Sequence, residues 1–368
     1  MFSIHGPLAL HAGALIAAPV GVALLIDRLL GEPAVRWHPV VWMGAYLGWA
    51  GQRVAPLMGD PAPPRLKVFA RGALVWLVGA ALVVVVALGA VALLSDAPIW
   101  LQALGLGVLL KPLLAWRMLR DEVRAVEAAL ADSLPAGRER LAWLVSRDVS
   151  TLDAAQVRES AIETLAENLN DSVVAPLFWF AVAGLPGAAL YRFANTADAM
   201  WGYRGERQGR DWTWAGKWAA RADDVLSWLP ARLTAGLLGV LGATSTWRHL
   251  QSQAGLTPSP NSGWPMAAMA LALNVSLAKP GVYTLHPAGR SPQAVDTARA
   301  LQLAGRVVDA LALNVSLAKP GVYTLHPAGR SPQAVDTARA LQLAGRVVGA
   351  LALLAGAVIL FAAGRAFA

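Results

Sequence analysis

Four stretches of the chain are apolar over a length that a bilayer selects for. Leu8 to Ile26 has no charged residue and reaches the ~20 residues a helix needs to cross the hydrocarbon core. It has neither a basic leader nor a small-residue cleavage site, so it is expected to be a retained helix. Ala73 to Leu94 is the strongest run, with Val83 to Val86 in succession and nothing charged. The turn Ser95-Asp96-Ala97-Pro98 separates it from a third run, Ile99 to about Trp116, interrupted by Lys111-Pro112. The fourth is Val347 to Gly364. Two weaker runs are broken by proline: Ser172 to Leu190 holds Pro176 and Pro186, and Leu226 to Ala243 holds Pro230 and Arg232. The pattern predicts an all-α, polytopic integral membrane protein with about 4–6 hydrophobic helices and polar helical loops.

Basic residues orient these runs. Asp27 to Arg71 carries Arg28, Arg36, Arg53, Arg65, Lys67 and Arg71, the Ser95–Pro98 turn carries none, and Arg117 to Asp171 is again arginine-rich. The positive-inside rule places both basic segments in the cytoplasm and the turn outside. A crossing at Ser172–Leu190 would then export the basic segment Arg192–Arg221. We therefore expect a proline-broken re-entrant or hairpin element there, irregular backbone at membrane depth being tolerated where protein covers it.

Composition narrows the class. Of 368 residues 56% are hydrophobic and 15% charged, with mean hydropathy +0.49, which excludes intrinsic disorder. The absence of cysteine excludes a disulfide framework, a zinc–thiolate site and a cysteine nucleophile. The net charge of +8 follows from topology, and no nucleic-acid motif accompanies it. Ala270–Val308 recurs unchanged as Ala310–Val348. A single perfect tandem copy is not a solenoid, whose repeats diverge and come in threes or more. We read one domain over residues 1–368, with the second copy a spacer or a sequence artefact. Each copy holds a Gly/Pro-rich turn, Lys279–Pro292 in the first, followed by a helical pattern from Ala294 to Val308.

Polar constellations follow the apolar runs. Glu159, Glu163 and Glu167 recur every four residues, with Asp171 one turn further, and so share a helix face. Like charges at that spacing call for a cation. Mg²⁺ held by one or two carboxylates plus substrate phosphates would answer, as would a solvated face paired with Arg147 or Arg158. Asn195 and Asp198 precede the Gly/Arg-rich Trp201–Arg207, suited to phosphate or carboxylate or to anionic lipid. Asp223-Asp224 sits beside Lys217 and Arg221, with Arg232 close in sequence. Ser259-Pro-Asn261-Ser-Gly263-Trp-Pro265 opens an apolar helix and reads as an anion site or a plain cap. No Walker loop, dinucleotide fingerprint or HExxH motif is present.

In order, the blocks DRLLGEPAVRWHPVVWMG (Asp27–Gly44), SRDVSTLDAAQVRESAIETLAENLNDSVVAPLF (Ser146–Phe178), YRFANTADAMWGYRGE (Tyr191–Glu206), GKWAARADDVLSWLPARLTA (Gly216–Ala235) and SPNSGWPMAA (Ser259–Ala268) resemble the CobD/CbiB family. These are the membrane-bound adenosylcobinamide-phosphate synthases of cobalamin biosynthesis. Departures are Thr164 and Ala199 where the family has serine, and a shortened Gly-rich stretch at Tyr283–Gly289. The resemblance implies an ATP-dependent ligase that amidates a propionate of adenosylcobyric acid with (R)-1-aminopropan-2-ol or its O-phosphate. It implies ATP and Mg²⁺ as cofactors, and a site facing the cytoplasm from the inner membrane. Corrinoid and amino-alcohol phosphate would be the substrates, the lipid bilayer the surroundings, and other cobalamin-assembly membrane enzymes possible associates. By the same resemblance Glu163, Glu167, Asn168, Asp171 and Asp198 are the catalytic candidates. Glu167, Asp171, Asp223 and Asp224 are candidates for the metal. Arg147, Asn195, Arg204, Lys217, Arg221, Arg232 and Asn261 are candidates for substrate and phosphate. The alternatives are a non-enzymatic membrane signalling protein of the AmpE type and a corrinoid transporter, whose path would need ionisable residues within the spans.

Overall fold

The computed structural model describes residues 6–59, 63–243 and 247–316. The expected span Val347–Gly364 and nearly all of the second repeat copy lie outside the described residues. The described chain is almost entirely helical, with two short β-hairpins.

Helix α1 (Gly6–Leu30) packs along α4 (Ile99–Leu110), where Gly107 approaches Val22 and the Pro19 carbonyl too closely for a Cβ. Between α1 and α4 come α2 (Pro39–Val54), with Pro39 in its first turn and His38 accepting from the Val40 N–H as its cap, and α3 (Arg65–Leu94). One face of α3 is built for close approach: a Cβ at Gly72 would meet the Ala215 carbonyl oxygen at 2.1 Å, and one at Gly79 would meet Tyr46 and Phe193 near 2.5 Å. Small residues at such contacts are how helices pack inside a bilayer. The other face exposes Leu74, Val78, Val85 and Val86.

The Lys111-Pro112 interruption forms a 3-10 turn (Lys111–Leu113) leading into α5 (Trp116–Asp132). Its lysine does not face solvent. Buried Lys111 pairs with buried Asp27 at 3.0 Å and with Glu32 at 2.8 Å, and His38 contacts Glu32 at 3.1 Å. Burial alone would raise the Glu32 carboxyl, but hydrogen bonds from His38 and Lys111 outweigh it and hold it below the usual range.

After α6 (Leu134–Leu141) comes α7 (Ala154–Leu169), started by a capping box of Asp153 and Gln156. A π-helical turn, Asn170–Val174, joins it to α8 (Ala175–Trp201). By length and composition the helical runs Arg65–Leu94, Ile99–Asp132 and Ala154–Trp201 qualify as membrane spans. The last of these does not run straight. In one continuous helix Asp171 and Asn195 would stand about 36 Å apart, yet Asn195 Nδ2 donates to Asp171 Oδ2 at 3.2 Å. The chain reverses at Ala183–Gly184, where Gly184 takes φ 63°, ψ −158°, a conformation open only to glycine. The expected hairpin is therefore present, and its reversal falls just before Pro186, which begins the returning arm. The outgoing arm from Asn170 to Val182 rises about 20 Å, short of the ~30 Å hydrocarbon core.

Helices α9 (Lys217–Leu226) and α10 (Trp228–Leu241) form a pair bent by 45°. Between α8 and α9, strands β1 (Glu206–Arg207) and β2 (Arg210–Asp211) make a small hairpin. Then follow α11 (Trp247–Ala254) and α12 (Gly263–Leu273), the latter ended by Asn274 in the left-handed region. Strands β3 (Leu277–Lys279) and β4 (Tyr283–Leu285) pair across a turn containing Gly281 at φ 74°, and α13 (Ala294–Ser316) closes the described chain.

Candidate functional site

The acidic face of α7 is not solvated. Glu159 and Glu163 are buried under the β3–β4 hairpin. Glu159 Oε2 accepts the Ala278 N–H at 3.3 Å. Arg147 donates to Glu163 at 3.1 Å and to the Ser160 hydroxyl, whereas Arg158 pairs with Glu127 on α5. Lys279 lies within electrostatic range of both Glu163 and Glu167. Burial and the adjacent Glu163 push the Tyr283 hydroxyl above its ordinary range, so it stays a protonated donor.

Asp171 sits in the π turn, which re-aims its side chain toward the returning arm of the hairpin. Asn170 Nδ2 donates to its carboxylate at 2.8 Å, Asn195 Nδ2 at 3.2 Å and the Tyr191 hydroxyl at 3.4 Å. Arg192 donates to the Asp171 carbonyl, the Ser172 hydroxyl and the Asn195 side-chain carbonyl. From the next helix, Asp223 faces Asp171 and Asp198, and the Ser227 hydroxyl links Asp223 to Tyr191. One oxygen of Asp223 is buried with no hydrogen-bond partner, as is one oxygen of Glu163. Room for Asp198 depends on Gly202, whose Cβ would stand 2.0 Å from the Asp198 carboxylate.

Adjacent carboxylates diverge on a helix, and Asp223 and Asp224 do so here. Asp224 faces outward into a cavity of about 740 Å³ lined by Arg204, Lys217, Arg221 and Arg232. Arg221 lies 3.7 Å from Asp224. Arg232 is held between Trp228 and Trp264, at 4.5 and 4.6 Å from the ring centres, and donates to Asn261 Oδ1 at 2.8 Å. Lys217 sits 4.0 Å over the Trp214 ring. The structure thus brings together four of the expected cations, and an acidic chain from Glu163 through Glu167, Asp171, Asp198 and Asp223 ends at their cavity.

Some expectations need correction. Arg147 is absent from the cationic cavity because Glu163 and Ser160 hold it at the opposite end of the acidic chain. Asn168 donates to the Thr164 carbonyl of its own helix, a local contact rather than a site contact. Asn261 positions rather than presents: its amide also binds the Asp224 carbonyl at 2.7 Å. The Ser259 hydroxyl accepts from the Asn261 and Ser262 N–H groups, so that loop is a cap and leaves those donors unavailable to an anion. Among the described residues no three carboxylate or imidazole groups come together to chelate a metal, so Glu167, Asp171, Asp223 and Asp224 do not form a protein-only metal cage. As expected of polar helical segments, the acidic residues all lie on α7, the π turn, α8 and α9. Sequence reasoning passed over Asn170, Tyr191, Arg192 and Ser227, whose only signal was polarity inside an otherwise apolar stretch.

A family model described as CobD/Cbib protein matches residues 20–305. The chain belongs to the CobD/CbiB family. It is 42% identical over 297 residues to cobalamin biosynthesis protein CobD of Chromobacterium violaceum, covering 77% of this chain and 91% of that one. It is 38% identical over 278 residues to the probable cobalamin biosynthesis protein CobD of Methanothermobacter thermautotrophicus (72% and 84%), and 39% identical over 313 residues to that of Rhodobacter capsulatus (79% and 94%). No solved structure matches. The matched region contains the acidic chain and the cationic cavity, so this CobD/CbiB chain carries both within what it shares with its family.

Proposed function

We propose that this protein is an ATP- and Mg²⁺-dependent ligase of cobalamin biosynthesis, amidating the propionate of adenosylcobyric acid with (R)-1-aminopropan-2-ol or its O-phosphate. The observation that carries the reading is the seam at Asp198, Asp223 and Asp224, where a half-buried acidic chain meets a cavity with four cationic side chains. A carboxylate is a poor acyl group toward an amine, so it must first be phosphorylated, and polyphosphate needs its charge neutralised. Arg204, Lys217, Arg221 and Arg232 supply that charge, and Arg232, fixed by two tryptophans and Asn261, supplies an oriented fork.

The residues also fit Mg²⁺. It usually takes one or two carboxylates and completes its shell with phosphate oxygens and water, which suits a site with no carboxylate trio. Asp224, at the cavity wall among the four cations, is the residue to hold it, with phosphate oxygens and water completing the shell. Bound Mg²⁺ would neutralise charge developing on the phosphoryl group. Asp171, fixed by Asn170, Asn195 and Tyr191, sets the position of the acidic wall. The attacking amine must shed a proton, and we assign that base role to the acidic wall. Glu167, which has no arginine partner among the described residues, is preferred over Glu163, which Arg147 holds.

Since the α8 hairpin returns the chain to the side it left, the site shares a side with the arginine-rich segment before α7, which the positive-inside rule assigns to the cytoplasm of the cell membrane. The test is purified protein with adenosylcobyric acid, ATP, Mg²⁺ and either amine, read by product mass. Amide formation that needs both ATP and Mg²⁺ is the expected result. A folded protein that forms no amide with either amine would overturn the reading.

A further inference from the structure

A second cavity, of about 610 Å³, lies away from the acidic chain, between α2, α3, α4 and the returning arm of the α8 hairpin. Its floor is Leu185, Ala189 and Phe193 on that arm, each buried within the protein. One wall is α3 from Gly79 to Ala90, and the facing walls include Met43, Tyr46, Val108 and Leu109. Charged side chains are confined to one end, where Lys111 is ion-paired with Glu32 and Asp27, and the Tyr46 hydroxyl is spent on the Val75 carbonyl. That end offers no uncommitted charge, so the groove selects an apolar occupant.

We propose that this groove holds one acyl chain of a bilayer phospholipid, intercalated between α3 and the hairpin. Three observations fix that choice. The groove opens sideways: Leu82 and Val86 line it and are also more than half exposed on the apolar face of α3. Its wall along α3 rises about 16 Å, the depth of one leaflet of a ~30 Å core. Its polar end carries Trp37 and Trp42, both exposed, at the level where aromatic side chains mark a membrane interface. Because the floor belongs to the arm that carries Arg192, Asn195 and Asp198, the chain packs against the back of the polar site. The inference does not depend on the ligase reading.

The test uses full-length protein in nanodiscs containing phosphatidylcholine with a diazirine in one acyl chain, with photo-adducts mapped by mass spectrometry. Adducts on Leu185, Ala189 or Phe193 are expected, in addition to those on the outward residues Leu74, Val78 and Val85. Surrounding lipid alone would label only the outward set, and that result in the unaltered protein overturns the proposal, whether the groove is empty or filled by protein. Ala87→Phe, which puts a ring into the groove, should remove the floor adducts and keep the outward ones. Floor adducts undiminished in a folded Ala87→Phe protein would also count against it.

Discussion

Helix α3 and the α7–α8 unit each hold a stretch long and apolar enough to cross a membrane, and they do opposite work. In α3 the polar residues stop after Arg71; one face packs through Gly72 and Gly79, and the other shows bare aliphatic side chains. In α7–α8 most apolar residues point into the protein, and half-buried polar side chains are paired across a reversal at Gly184. An apolar run thus gives a lipid-facing post in one case and a support for a polar cluster in the other. What separates them is the fate of the polar minority. A polar group inside the membrane boundary must find a partner in the protein, and pairing Asp171 with Tyr191 and Asn195 requires the chain to fold back.

The largest expected effect breaks the polar side of that comparison. Asp171→Asn and Asp223→Asn should each lower amide-forming turnover by about 10²–10⁴-fold while leaving the protein in the membrane fraction. Comparable turnover would mean that the acidic chain is structural. Next comes the buried charge beneath α1. Lys111→Met leaves Asp27 buried without its cation, which should cost about 3–5 kcal/mol, read as a fall in melting temperature in detergent. The same network has a pH signature. Because the Glu32 carboxyl is held below its ordinary range, its contribution is full at neutral pH and is lost as pH falls below about 4. A smaller test separates the two faces of α3. Gly72→Ala forces a methyl against the Ala215 carbonyl and should cost about 1–3 kcal/mol, whereas Gly89→Ala meets nothing within 4 Å and should stay within about 0.5 kcal/mol. Equal costs would contradict the packing described. The mildest change within the site itself is Arg232→Lys, which keeps the charge but loses the fork between Trp228 and Trp264. It should weaken nucleotide binding about tenfold, ~1.4 kcal/mol, measured by titration.

The α3 post was legible in the sequence because Ala73–Leu94 repeats one message over six turns. The four cations of the cavity were legible too, as were Asp171 and Asp198, since short motifs gathered the right residue types. Other features needed the third dimension. Lys111 looks like a helix-breaking interruption, and its partner Asp27 lies far away in sequence. Tyr191 and Arg192 vanish into an apolar stretch, and only the reversal brings them to Asp171. Pro186 announced a break, but the backbone turns at Gly184, where positive φ is needed. Arg147 had the right charge but is held at the Glu163 end of the acidic chain, away from the cavity. The adjacency of Asp223 and Asp224 is what lets one carboxylate face the acidic chain and the other the cavity.

The central claim is that α3 crosses while the α7–α8 unit turns back, keeping both ends of that unit on one side. The chain has no native cysteine, so single substitutions at Ser95, Ser150 and Glu206 report topology cleanly when an impermeant thiol reagent is applied to intact and to permeabilised cells. Ser150→Cys and Glu206→Cys are predicted to behave alike, protected until the membrane is opened, with Ser95→Cys labelled from outside. Opposite labelling of Ser150→Cys and Glu206→Cys would make the α7–α8 unit a crossing helix and contradict the account.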